Sequence, residues 1–510
     1  MQDYEVIIIG SGIGGLSCGA LLALSGKKVL ICESHSQPGG VAHSFSKKGY
    51  KFESGPSLWS GLQSIGNNSP LGQILYLLEE KVEIKKYMGW KVLFPEAQFD
   101  LEVGDAPFRK KIKDLRGDVA LKEWDSFIKE IQPISRIISK MPLLTTSPQN
   151  LNLIETLNLL VKLLPDIKYA GNLRKDFGDI AGKYLKDPFL NNWVDLLSFL
   201  ISGMSMHDTN TAAMATLFNE WFNPNAYLEY PLGGSDSVVN ALIRGLKKNK
   251  GELRLSSRVK EINFEKNLAT GVTLENNEVI SSDFVVTNCD IWNRTKLFPS
   301  HLKNELKPSD TNIETCKSFL HIHLGFDASD LVNLPIHTIW VNDWGRGITA
   351  ERNIAVFSIP SVIDPTMSPE GKHVLHGYTP ANEPWEIWKD LELNSKRYKD
   401  LKEERCEIFL TPLRKIIPDI DKRIELKMLG TPLTHKKFTN TYKGSYGPAI
   451  SANKSLFPGY KTPIRNVLSC GASTFPGIGI PAVAASGAYV AEAICGKNKF
   501  KKMISDLKNF

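Results

Sequence analysis

The chain has few cysteines, only 7 among 510 residues. They are Cys18, Cys32, Cys289, Cys316, Cys406, Cys470 and Cys495, scattered and without a C-x-x-C pair. An odd, scattered set argues against a disulfide framework. Several lie in apolar runs, so buried thiols in a reducing compartment are expected. No uninterrupted apolar stretch reaches the roughly 20 residues of a membrane-spanning helix. The first strand begins by residue 5, which leaves no room for a signal or transit peptide. The expected location is therefore cytoplasmic, as in a bacterial or cyanobacterial-type chain, with peripheral membrane association allowed. An excess of one charge is also lacking: 62 basic against 55 acidic residues leave a net charge of +7. The basic residues are spread out and form no recognition module, which excludes a nucleic-acid partner. Attraction to an anionic membrane surface stays open. No Ser-His-Asp set, metal-ligand cluster, internal repeat or low-complexity segment is evident, and no metal is expected.

What is present begins at Gly10-Ser11-Gly12-Ile13-Gly14-Gly15. This stretch follows the apolar run Val6–Ile9 and precedes a helical pattern over Leu16–Leu24. A second apolar run, Val29–Cys32, ends in Glu33. Strand, glycine turn, helix, strand and acid in this order form a dinucleotide-binding unit. Gly10 permits the turn, Gly12 lets a pyrophosphate approach the backbone, and Gly15 lets helix and strand pack. The phosphates meet free N–H groups at the helix N-terminus. Glu33 suits a ribose 2′-hydroxyl and repels a 2′-phosphate, so FAD or NAD fits and NADP does not.

A length of 510 residues accommodates two or three domains. Residues 105–227 read as mostly helical. Within Leu151–Ile167, Ile154, Leu157, Val161 and Leu164 recur at helical spacing. That helix either docks on a core, or dips into a membrane or rims an apolar tunnel. Tyr230-Pro231-Leu232-Gly233-Gly234 punctuates the chain. A helix over Val238–Leu246, a strand over Leu253–Val259 and a hairpin-like section ending at Asn288 follow. A charged helix is expected around Glu392–Leu413. Val467–Gly471 reads as a strand running into a second glycine turn, which opens a helix of small residues from about Pro481 to Ile494. The last fourteen residues are lysine-rich and read as a frayed or surface helix.

Together these motifs resemble the FAD-dependent carotenoid desaturase and carotenoid isomerase family, within the wider amine-oxidase-like flavoproteins. Glu33 followed by Gly39-Gly40 is similar to the family's acid–x5–Gly-Gly signature. Gly49–Pro56 resembles its next element, with Glu53 where Asp is usual. Tyr230–Gly234 resembles its Pro-x-Gly-Gly turn, and Asp283–Asp290 its strand ending in Asn-x-Asp. Gly471–Pro481 resembles the C-terminal flavin motif of the carotenoid branch. The resemblance implies an α/β fold: a Rossmann-type FAD-binding domain from discontinuous segments, plus a mixed α+β substrate domain with a helical portion. The expected segments are 1–104, 228–300 and 455–496 for FAD, 105–227 and 301–454 for substrate, and 497–510 as a basic tail. The expected cofactor residues are Gly10, Gly12, Ile13, Gly14, Gly15, Glu33, Gly39, Gly40, Val41, Val259, Gly471, Ala472, Pro476, Gly477, Gly479, Ile480 and Pro481. In a fold where the two ends meet, the second turn faces the flavin ring with a positive helix N-terminus. An NAD enzyme needs no such element, so the pairing selects FAD. Two positions depart from the wider pattern. Val41 replaces a common Arg, and Ala472 replaces a common acid, the latter fitting the carotenoid branch rather than a typical amine oxidase.

The implied function is that of an FAD-dependent oxidoreductase acting on a carotenoid or similar polyene, by cis–trans isomerisation or by desaturation. Asn342-Asp343-Trp344 and the Gly430–Phe438 stretch resemble the isomerase branch. Such an apolar substrate needs a long apolar cavity and a route from a membrane surface. Trp193–Ile201 and the run Leu217, Phe218, Trp221, Phe222 can line one or form plain core. The catalytic residues are not evident; His435, Glu220 and Asp208 are candidates for proton transfer. His321-Ile322-His323 alternates as on a strand, where a structural role is expected over a metal. Rival readings are a retinol-saturase-like double-bond reductase, an amine oxidase, and a non-catalytic flavin or pigment binder. The oligomeric state is open.

Overall fold

The computed structural model describes residues 3–64, 69–141, 144, 151–223, 225–299, 302, 313–452, 457–505 and 507. Apolar, β-branched runs at both ends of the chain build one sheet. Its parallel core runs, in spatial order, 467–469, 282–287, 4–9, 29–32 and 252–254. The register sets Ile8 beside both Ile31 and Val286. Val6, Ile7, Ile8, Leu30, Ile31, Val285 and Val286 are fully buried, as expected of a sheet covered on both faces. An antiparallel hairpin, 259–265 with 268–274, extends the near end of strand Val279–Thr287. The single strand expected at Leu253–Val259 is thus two, Glu252–Arg254 and Val259–Glu265.

Helix Ile13–Leu24 lies on this sheet with helices Ser235–Lys248 and Ile480–Cys495 against it. The small residues of the last helix are what permits this. A Cβ added to Gly487 would come within 2.3 Å of the Gly14 carbonyl oxygen.

A second sheet of seven strands has the order 424–430, 321–327, 372–378, 354–358, 337–341, 89–93, 98–102. Its last two strands come from a segment that the sequence groups with the dinucleotide unit. Strand Gly89–Leu93 pairs in parallel with His337–Val341, so those residues belong to this sheet. The helical part packs Asp105–Lys140, kinked at Gly117, against Phe177–Tyr184, Pro188–Ser202 and Thr211–Trp221. Trp124, Phe127, Phe177, Trp193 and Phe199 make its core.

Two further elements differ from plain expectation. Helix Leu153–Leu163 starts with a capping box between Asn152 and Glu155, yet its apolar stripe does not meet a core. Leu153, Ile154 and Val161 are 76%, 69% and 65% exposed. The lysine-rich end, in contrast, is docked. Phe500, Ile504 and Leu507 sit in the core of the first sheet, and Lys497 and Lys501 pair with Glu155 of the exposed helix.

Candidate active site

The two glycine turns face each other across strand end Thr287-Asn288. A Cβ on Gly14 would lie 3.1 Å from the Gly471 backbone nitrogen. Asn288 fills the seam: its Nδ2 donates weakly to the Gly10 carbonyl at 3.4 Å. Added Cβ atoms on Gly12 and Gly14 would both lie 2.9 Å from its amide. A side chain at Gly12 or Gly14 would meet the Asn288 amide, so the two turns present bare backbone on either side of it.

A cavity of about 1000 Å³ opens from the seam. Of the expected cofactor residues, Gly10, Gly12, Ile13, Gly14, Glu33, Gly39, Gly40, Val41, Val259, Gly471, Ala472, Pro476, Gly479, Ile480 and Pro481 line it. Gly15 and Gly477 do not. A Cβ on Gly15 would collide with the Gly10 carbonyl at 2.2 Å, so its task is packing. Gly477, at φ +123, bends the second turn against Phe457. The Glu33 carboxylate accepts from Ser11 N at 2.8 Å, Ser11 Oγ at 2.7 Å and His35 N at 2.8 Å. It therefore braces the first turn as well as facing the cavity. Val41, where Arg is common, is half exposed toward that space.

This donor set fits a dinucleotide: bare backbone at a helix N-terminus, an acid at the second strand end, and a second helix start opposite. The residues that would hold it are those of the two turns, Glu33 and Asn288. From sequence, Asn288 belongs to the Asn-x-Asp strand end but not to the expected cofactor residues. Its signal was a polar residue closing the apolar strand Phe284–Thr287.

The other end of the same cavity is apolar and aromatic. Leu200, Ile201, Leu217 and Trp221 line it, as do Phe319, Tyr378 and Tyr446. Trp193 and Phe218, from the same sequence runs, are core instead. Ile138, Met141, Leu173 and Arg174 line it too, next to the exposed helix Leu153–Leu163.

Two of the three proton-transfer candidates are in the wall. Glu220, near the end of helix Thr211–Trp221, is open to the cavity though deep beneath the outer surface. Desolvation pushes its carboxyl up to about 7, against a 3.3 Å hydrogen bond from Ser60 Oγ. His435, on helix Pro432–Thr439, is held down to about 4 by burial and by neighbouring histidines, and its Nε2 has no hydrogen-bond partner. Asp208 does not line the cavity; it accepts from Ser205 Oγ at 3.3 Å and Ser451 Oγ at 3.1 Å and ties a loop.

Glu53, beside the cavity wall, is structural. Its backbone carbonyl accepts from His323 Nε2 at 3.0 Å, and its carboxylate receives Ser235 N at 3.0 Å and Ser235 Oγ. A Cβ on Gly234, at φ +74, would fall 1.8 Å from Glu53 Oε1. The Pro-x-Gly-Gly turn is thus glycine where the Glu53 carboxylate is seated.

The chain matches the family model described as flavin containing amine oxidoreductase over residues 13–495. It is 30% identical to prolycopene isomerase 2, chloroplastic, of an Oncidium hybrid cultivar over 98% of this chain and 85% of that protein. It is 26% identical to a phytoene desaturase of Fusarium fujikuroi over 98% of this chain and 91% of that one. Among solved structures, an oxidoreductase from Methanosarcina mazei superposes with a TM-score of 0.61 at 17% identity, covering 96% of this chain and 100% of that one. The family is flavin-containing and the chain carries a dinucleotide-binding turn, so the cofactor is FAD. With its two ends folded around one cofactor cradle and an apolar cavity beyond it, the chain belongs to the flavin-containing amine oxidoreductase family and is an FAD-dependent oxidoreductase.

Proposed function

We propose that this enzyme isomerises cis double bonds of a carotenoid or a similar polyene. The observation that carries the reading is the single cavity that joins the cofactor cradle to a wall of Leu200, Ile201, Leu217, Trp221 and Phe319. A hydrocarbon without a polar handle is held by shape and apolar contact, and this wall offers both. The similarity to the prolycopene isomerase supports isomerisation; that to the phytoene desaturase supports desaturation as the second reading. FAD, when bound, supplies reversible two-electron chemistry. The chain's own tasks are to align the polyene, exclude water and hold a proton. Glu220 is the group proposed for the last task, because it is the carboxyl in the wall whose surroundings favour the protonated form near neutral pH.

A polyene must also leave its lipid store. No helix among the described residues is long and apolar enough to cross a membrane. The exposed stripe of Leu153, Ile154, Leu157, Val161 and Leu164 suits insertion into one leaflet beside the apolar end of the cavity. We assign peripheral membrane contact to this helix.

The test is incubation of the FAD-loaded protein, oxidised and then reduced, with poly-cis lycopene and with phytoene, followed by chromatography. Isomerised lycopene of unchanged mass, formed only with reduced flavin, is the expected product. Dehydrogenated phytoene from the oxidised protein, with lycopene untouched, selects the second reading. No change in either, with FAD fully retained, overturns both.

A further inference from the structure

Four buried histidines stand next to the cavity, and the FAD chemistry uses none of them by necessity. His321 and His323 alternate on strand His321–Asp327. His376 comes from the paired strand Lys372–Tyr378, directly opposite His323 in the register. His435 arrives on its own helix, with its ring centroid 4.5 Å from that of His321. The sequence singled out the first pair and, separately, His435, but not His376, because the strand that brings it is more than fifty residues away.

A buried histidine with a purely structural task has both ring nitrogens satisfied. His337 shows this: its Nε2 meets Tyr87 Oη at 2.7 Å and its Nδ1 meets Ser358 Oγ at 2.8 Å. The cluster differs. His376 Nε2 and His321 Nδ1 face each other at 3.2 Å, two imidazole nitrogens sharing one proton. His376 Nδ1 and His435 Nε2 are buried with no hydrogen-bond partner. An unpartnered buried polar atom costs roughly 1–3 kcal/mol, so this cluster lacks the full hydrogen bonding that seats His337.

We infer that His321, His323 and His376 bind a divalent first-row transition ion of the zinc class. Their ligand atoms lie within 4.8 Å of one another. A tetrahedral ion with bonds of about 2.0–2.1 Å places its ligands about 3.3 Å apart. The 3.2 Å separation of His321 and His376 already matches that edge, and a ligand atom of His323 lies within 4.8 Å of both. His323 also carries the support that metal-binding histidines use: its Nε2–H donates to the Glu53 carbonyl at 3.0 Å, which leaves Nδ1 as a lone pair. Three neutral imidazoles without a thiolate or carboxylate favour zinc, cobalt, copper, nickel or iron over magnesium or calcium. Of the three, His321 lines the cavity.

The FAD-loaded wild-type protein, treated with a chelator and desalted, is titrated with Co²⁺ and Zn²⁺. Expected are saturable binding of about one ion per chain and Co²⁺ ligand-field bands to the red of the flavin absorption. Zinc-edge X-ray absorption should show a nitrogen-dominated first shell. His323→Gln and His376→Gln should each weaken binding by ~10–100-fold, while His337→Gln leaves it unchanged. Flavin content and Tm report whether each variant is folded. Absence of saturable binding by the wild type, or a first shell of oxygen alone, overturns the proposal without any variant. Undiminished affinity in folded His323→Gln and His376→Gln overturns it as well.

Discussion

Two buried carboxyls, Glu53 and Glu220, are both pushed up to about 7 by desolvation, and they differ in what they face. Glu220 faces the cavity, so its proton is available to a substrate. A reaction that needs the protonated form is full below about pH 6 and falls as pH rises through 7. Glu220→Gln should lower kcat by ~10²-fold, within the range for loss of general acid–base help, and remove that limb while flavin content stays the same. Unchanged kcat and pH profile would free Glu220 of the role. Glu53 faces Ser235 and the glycine turn, so its proton concerns stability. Its folded value lies above the unfolded 4.5, so the folded state holds a proton that the unfolded state loses. Stability therefore falls as pH rises from about 4.5 to 7, by up to about 3 kcal/mol. Thermal unfolding of the wild type should show Tm dropping over that window, and Glu53→Gln should flatten the drop. The sequence displayed Glu33 and the glycines because their roles follow from local order along the chain. It could not display His376 beside His323, or His435 beside His321, because those neighbours exist only after distant elements pack.

At the scale of single elements, the helix at Leu153–Leu163 shows what periodicity can and cannot tell. Apolar spacing and the Asn152–Glu155 capping box specify a helix, and a helix forms. Spacing alone does not say what the apolar face meets, and here it meets solvent. The lysine-rich end gave the opposite surprise. Its charges suggested a loose surface segment, while Phe500, Ile504 and Leu507, spaced four and three apart, carry it into the core. Lys497 and Lys501 are turned toward Glu155 and are not free for lipid. Vesicle binding should therefore depend on the helix more than on lysine charge. The double substitution Ile154→Glu with Val161→Glu should cut partitioning onto phosphatidylcholine vesicles at least ~10-fold, since burying each such side chain contributes about 1.5–3 kcal/mol at most. Both positions are exposed, so Tm should hold. Wild-type binding that vanishes in high salt would shift the credit back to electrostatics.

At the scale of the whole molecule, everything rests on chain ends that are over 450 residues apart sharing one packed seam. Strands 4–9 and 467–469 flank strand 282–287, and helices Ile13–Leu24 and Ile480–Cys495 touch through glycine and alanine. Gly487 is where they come closest: a Cβ there would meet the Gly14 carbonyl at 2.3 Å and the Cys18 nitrogen at 2.9 Å. Both are backbone atoms of a buried helix, so neither can move aside alone. Gly487→Ala must then push the last helix outward and carry the second turn away from the first. The expected cost is about 1–3 kcal/mol, typical of overpacking, together with weaker FAD retention, although residue 487 does not line the cavity. Gly182→Ala supplies the contrast. It sits in helix Phe177–Tyr184 with nothing within 4 Å of the added atom, and should stabilise by about 0.5–1 kcal/mol through helix propensity with FAD unaffected. Flavin release measured during dialysis, alongside Tm, separates the two. Full flavin retention in Gly487→Ala at a lowered Tm would mean that the two turns hold the cofactor independently of their shared seam.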